Sequence, residues 1–143
     1  MIQVERIVSA TSDRVWEYLG DLERWAEMLP TIDEITRLDD GPTTVGSRFR
    51  VRQPGLMAAE YVVDDWRPGA GFTWRARSAG VAVTASHTLN GRGETTELRL
   101  GLEWSGRMSW LHRSLFSRKA RTFVAIEADT FVSLAESDQR RPA

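Results

Sequence analysis

The first apolar-polar pattern in the chain is an imperfect alternation. Residues 2–9, "IQVERIVS", favour β-branched types at a period near two, which predicts a strand. The pattern then changes. In "TSDRVWEYLGDLERWAEMLP" (11–30), Val15, Trp16 and Leu19 form a stripe at helical spacing. Thr11 or Ser12 is placed to cap that helix and Gly20 to stop it. Asp21 recaps, Leu22, Trp25, Ala26 and Leu29 make a second short stripe, and Pro30 ends it. Two stubby helices, each carrying a tryptophan, therefore follow the first strand.

From about residue 31 the period returns to two. "TIDEITRL", "SRFRVRQ", "MAAEYVVDDW", "FTWRARS", "VAVTASHTL" and "ETTELRLGLEW" read as six short strands. Between them lie "DDGPTTVG", "PGL", "RPGAG", "AG" and "NGRG". Asn90-Gly91 is read as the turn of a hairpin. Gly-bearing turns at this spacing predict a meandering antiparallel sheet. Near residue 108 the period changes once more, and "MSWLHRSLFSRKARTFVAIEADTFVSLAES" has neither Gly nor Pro, which predicts one long helix near 110–136. The order is β-α-α-β-β-β-β-β-β-α. Residues 1–137 are expected to form one domain, and 138–143 a frayed tail.

Composition narrows the function classes. A chain of 143 residues suits one core. Net charge is −1, so no global basic field gathers nucleic acid. The absence of cysteine removes disulfides, thiolate metal sites and Cys nucleophiles. The two histidines, His87 and His112, have no acidic spacing typical of a metal site, and no metal or cofactor is expected. "RPGAGF" and "NGRGE" are hairpin turns and not phosphate loops. No serine sits in a nucleophile elbow. The N-terminus lacks an apolar signal region and no window is long enough to span a bilayer. The reading is a cytoplasmic protein without stable membrane insertion, either monomer or homodimer. Six Trp and five Phe are a heavy aromatic load for so small a core.

The element order, together with "VWEYLGDLERWAEMLPTI", "VGSRFRV", "VVDDWRPGAGFTWRA", "HTLNGRGETTELRL" and the closing helix, resembles the START/Bet v 1-like (SRPBCC) superfamily. The likeness is to its bacterial polyketide cyclase/dehydrase and lipid-transport branch, and it covers nearly the whole chain. It implies an α+β helix-grip fold: a curved seven-stranded antiparallel sheet wrapped around the long C-terminal helix, with a ligand cavity between them. Two short helices after strand one would then plug the open end. Trp16 is expected to pack in the core, and Trp25 near the cavity rim. The superfamily has no shared catalytic signature, so the motifs speak for architecture more than for chemistry.

Strand alternation indicates which side chains face that interior. The inward sets are Phe49, Val51 and Gln53; Ala59, Tyr61 and Val63; Phe72, Trp74, Ala76 and Ser78; Val81, Val83, Ala85, His87 and Leu89; and Leu98, Leu100, Leu102 and Trp104. On the helix, Phe116, Ala120, Phe123, Val124, Phe131 and Leu134 share an arc. Glu127 falls within that arc, one turn from both Phe123 and Phe131. The candidate ligand-binding residues are Trp25, Phe49, Val51, Tyr61, Trp74, Val83, Ala85, Leu100, Leu102, Phe123 and Phe131. An apolar wall with sparse polar groups suits a small-molecule pocket, and equally a filled core. A carboxylate facing the sheet needs a partner or a shifted pKa. His87, Tyr61 or a ligand group are the candidates, with simple exposure at a rim as the bland alternative.

Two function classes follow. One is a carrier or binding protein for a small hydrophobic molecule such as a lipid, isoprenoid or polyketide. The other is a cyclase/aromatase or dehydratase-type enzyme with His87 and Glu127 as acid/base groups. A co-chaperone or interaction module on the same fold ranks third. The arginines of "RFRVRQ", with Arg75 and Arg77, read as a solvated outer face offset by Glu60 and Asp64. "SRKAR" (117–121) reads as a solvated helix flank, and an exposed Trp66 as a possible contact residue.

Overall fold

The computed structural model describes residues 1–139. Strand β1 (Ile2–Val8) is followed by helix α1 (Ser12–Leu19), a 3₁₀ turn (Leu22–Arg24) and the short helix α2 (Trp25–Met28). Strands β2 (Glu34–Arg37), β3 (Arg48–Arg52), β4 (Ala59–Arg67), β5 (Gly71–Ser78), β6 (Val81–Arg92) and β7 (Thr95–Ser105) lead to helix α3 (Ser109–Gln139). All seven strands make one antiparallel sheet in the order β1-β7-β6-β5-β4-β3-β2. This is the helix-grip architecture. The expected tail begins as helix, since α3 continues through Gln139, and residues 140–143 lie outside the described residues.

Local chemistry explains the short helices. Thr11 caps α1, its hydroxyl accepting from the Arg14 N–H at 3.3 Å. Gly20 closes α1 in an ordinary right-handed conformation, so backbone freedom is not the reason for glycine there. The reason is space: a Cβ at Gly20 would sit 2.6 Å from the Trp16 indole. Asp21 makes no side-chain capping bond, and the second predicted helix is split into a 3₁₀ turn and a single α turn. Its buried residues are Leu22, Trp25 and Leu29, whereas Ala26 is exposed.

Three features depart from the alternation. The β6–β7 hairpin does not turn at Asn90-Gly91. Asn90 pairs with Glu97 and Gly91 with Thr96, and the ladder closes at Arg92 and Thr95. The turn is Gly93-Glu94, with Gly93 at φ +72°. Gly91 is instead a point of close approach, since a Cβ there would lie 2.9 Å from the Ser12 hydroxyl of α1. Second, the β4–β5 register shifts between Val63 and Asp65. Such an irregularity flips the side-chain parity beyond it. Trp66 thus lies opposite Phe72 and on the same face, half-buried with its ring centroid 5.0 Å from that of Trp16. It is a packing residue and not a free contact. Third, the deepest seam of α3 is Val124, Ala128, Phe131 and Ala135, whereas Phe116 is exposed and Leu134 half-buried.

The outer face of the sheet carries the expected cross-strand charge pairs, Arg48 with Glu60 at 3.4 Å and Arg75 with Asp64 at 3.4 Å. No helix among the described residues is long and apolar enough to cross a membrane.

Candidate functional site

Between the sheet and α3 lies a cavity of about 390 Å³, within the range of small-molecule sites. Strands contribute Val51, Tyr61, Trp74, Val83, Ala85, His87, Leu102 and Trp104 to its wall. Helix α3 contributes His112, Phe116, Lys119, Phe123 and Glu127, and α2 contributes Trp25. Ten of the sequence-expected site residues therefore meet here: Trp25, Val51, Tyr61, Trp74, Val83, Ala85, His87, Leu102, Phe123 and Glu127. Phe49, Leu100 and Phe131 do not. They are buried in the packed core instead, at 0%, 2% and 0% exposure.

Trp25 corrects another expectation. It lies deep and not at the rim, only 1% exposed, with its ring 5.4 Å from Trp74, 5.6 Å from His87 and 5.7 Å from Phe131. Its indole Nε1 is buried without a hydrogen-bond partner among the described residues. The opposite end of the cavity is open, since Met57 in the β3–β4 loop is 92% exposed and Phe116 is also exposed. The cavity thus has an aromatic inner end and a mouth between that loop and the start of α3.

His87 sits in the wall against Phe72. The two are register partners on β5 and β6, their rings stack at 4.0 Å, and His87 Nδ1 lies 3.1 Å from the Phe72 carbonyl. A carbonyl oxygen only accepts, so Nδ1 carries the proton and Nε2 keeps its lone pair. Burial pushes the imidazole pKa down to about 4, against the small upward pull of that carbonyl. His87 is therefore neutral at pH 7.

Glu127 is the counterpart on α3. Burial pushes its carboxyl up to about 7, and the Thr31 hydroxyl, donating to Oε1 at 2.9 Å, pulls it partly back. The surface Glu127 retains borders the cavity. Its charge also reaches Tyr61, whose phenol is pushed up to about 12, chiefly by burial and then by Glu127. Glu127 and His87 form no ion pair, each being bonded elsewhere. The site therefore holds a poised carboxyl and a neutral imidazole as separate polar points.

Sequence reasoning missed Thr31, which belongs to no strand and lies 96 residues from its partner. It also missed Leu56, Met57 and Ala58 at the mouth, because loop residues follow no period. Among the described residues no group of three His, Asp or Glu side chains is placed to hold a metal ion.

The family model described as polyketide cyclase / dehydrase and lipid transport matches residues 1–133. The chain belongs to this family. Among curated proteins no sequence match is found. Among solved structures, the Zhui aromatase/cyclase from a Streptomyces is similar at 16% identity and TM-score 0.80, over 97% of this chain and 94% of that one. Norcoclaurine synthase from Thalictrum flavum is similar at 16% identity and TM-score 0.71, over 93% of this chain and 84% of that one. Ara h 8.0201 is similar at 12% identity and TM-score 0.64, over 90% of this chain and 95% of that one. At such identities the likeness is one of fold alone, and the chemistry must come from this family member's own side chains.

Proposed function

We propose that this protein binds a small, largely apolar molecule in the cavity, of lipid, isoprenoid or polyketide type, and holds its polar group at Glu127. The observation that carries this reading is a sizeable cavity whose aromatic and aliphatic wall is interrupted by a carboxyl that, among the described residues, is hydrogen-bonded to Thr31 alone. A core evolved for packing alone would fill such a space. Below about pH 7 the carboxyl is protonated and can donate to a ligand oxygen; above it, the carboxylate accepts from a hydroxyl. Native mass spectrometry of freshly purified protein tests the reading. A discrete small-molecule adduct that leaves on denaturation supports it. A bare chain that also fails to take up an apolar dye counts against it.

A second reading, proton transfer of the cyclase/aromatase or dehydratase type, is favoured by one observation. His87 and Glu127 line the same cavity with pKa values moved in opposite senses, one toward a free base and one toward a protonated acid at neutral pH. Glu127→Gln separates the two. In the enzyme reading, turnover of an offered polyketide is lost while the ligand still binds. In the carrier reading, affinity shifts modestly and no turnover exists to lose.

A further inference from the structure

We propose that the ligand carries an anionic end group, a carboxylate or a phosphate, which Lys119 holds at the mouth of the cavity. Resting on the cavity reading above, this gives the ligand a charge and an orientation: anion at the mouth, apolar body inside. Among the described residues lining the cavity, Lys119 is the one lysine or arginine and Glu127 the one carboxyl. The two are eight residues apart on α3, about 12 Å along its axis at about 1.5 Å per residue. Lys119 stands at the mouth, one turn beyond the exposed Phe116, and Glu127 lies deeper, bonded to Thr31.

The Lys119 side chain is not loose in solvent. It is half-buried, and its ammonium lies 5.5 Å from the centroid of the Phe123 ring in the cavity wall. The same ammonium rests against the β3–β4 loop, where a Cβ at Gly55 would strike Nζ. Gly55 is also at φ +74°, so glycine is favoured there by backbone and by space. The side chain thus crosses from α3 to the loop, over the opening. An ammonium has three protons to donate. Among the described residues no carboxylate pairs with it and no acceptor takes a hydrogen bond from it.

A cation held inward at the edge of an apolar space, with no anion of its own, suits an anion that arrives with the ligand. An apolar body in the cavity would bring its charged end to Nζ while the open mouth keeps that end in contact with water, so the desolvation cost of a buried charge is avoided. The reverse orientation would bury the anion beside Glu127, itself negative above about pH 7.

Calorimetric titration of the full chain at pH 8 with decanoate, decyl phosphate and decanol tests this, on wild type and on Lys119→Met. Methionine keeps an unbranched apolar stem without the charge, and thermal melts of the two proteins should coincide because Lys119 is half-exposed. The expected result is saturable binding of decanol and of at least one anion to wild type, with only the anion's affinity falling as salt rises. Lys119→Met should lower the affinity of that anion relative to decanol by about fivefold. The tighter anion identifies the head group. Arg118→Gln, on the exposed side of the same turn, is the control and should leave the ratio unchanged. The same anion-to-decanol ratio in wild type and Lys119→Met overturns the proposal and leaves the cavity reading standing, since decanol binds. An equal fall in Arg118→Gln also overturns it, because the attraction would then belong to the helix surface at large. Binding of none of the three to wild type overturns the cavity reading and this one with it.

Discussion

Thr31 donates a hydrogen bond from Oγ1 to Oε1 of Glu127 at 2.9 Å, tying the segment after α2 to the middle of α3. This bond fixes the one carboxyl that the described residues place in the cavity wall, and it lowers a pKa that burial alone would raise further. A hydrogen bond to a charged acceptor is worth more than one to a neutral acceptor. Thr31→Val keeps the shape and removes the donor. It should cost about 2 kcal/mol at pH 8.5, where Glu127 is ionised, and about 1 kcal/mol at pH 5.5. Urea unfolding at the two pH values checks this; an equal cost at both would mean that the bond does not sense the charge.

Stability should depend on pH through two opposed groups. Glu127 has a folded pKa of about 7, above its ordinary 4.5, so its contribution is full below about pH 4.5 and is lost as pH rises through 7. His87 has a folded pKa of about 4, below its ordinary 6.5, so its contribution is full above about pH 6.5 and is lost as pH falls through 4. Between pH 4.5 and 6.5 the two slopes offset, and wild-type stability should be nearly flat there. Glu127→Gln should unmask a rise with pH across that window and gain about 1–3 kcal/mol at pH 8. A Glu127→Gln curve parallel to the wild-type one would contradict the assignment.

Gly71 should tolerate no side chain. Its φ is +140°, and a Cβ would be driven into the His87 carbonyl and the Thr88 backbone across the β5–β6 ladder. Gly71→Ala should destabilise by more than about 2 kcal/mol through strain and displacement of β6. Gly41, which also has positive φ but has open space around it, serves as the comparison, and Gly41→Ala should cost about 1 kcal/mol. Equal effects in thermal melts would refute the steric argument.

What was legible in the sequence was whatever obeys a period. Leu98, Leu100, Leu102 and Trp104 alternate cleanly against Arg99, Gly101 and Glu103, and that face of β7 looks inward. Trp74, Val83, Ala85 and His87 reached the cavity by the same rule. The rule failed where the period breaks. The irregularity at Val63 and Asp65 moves Trp66 indoors, and Gly91, whose sequence reads as a turn, makes room for Ser12. Helix α3 defeated a single arc because it has two jobs. Its first half lines an open cavity through Phe116 and Phe123, and its second half packs through Ala128, Phe131 and Ala135. Alternation also cannot distinguish a wall residue from one in the packed core, which is why Phe49, Leu100 and Phe131 were expected at the cavity. The Thr31–Glu127 bond depends on how two distant segments meet, and no local pattern encodes it.

The central claim is that the space between sheet and helix is a ligand site, and filling it is the direct test. Ala85 lies on β6 in the cavity wall, opposite Leu102 and Trp74. Ala85→Trp should occupy much of the void without disturbing the convex face. The measurement is a fluorescence titration of wild type and Ala85→Trp with an apolar, polarity-sensitive dye, alongside thermal melts of both. The account predicts saturable one-site binding to wild type, lost by at least about tenfold in an Ala85→Trp variant that remains folded. Dye binding of equal strength to both folded proteins would contradict it.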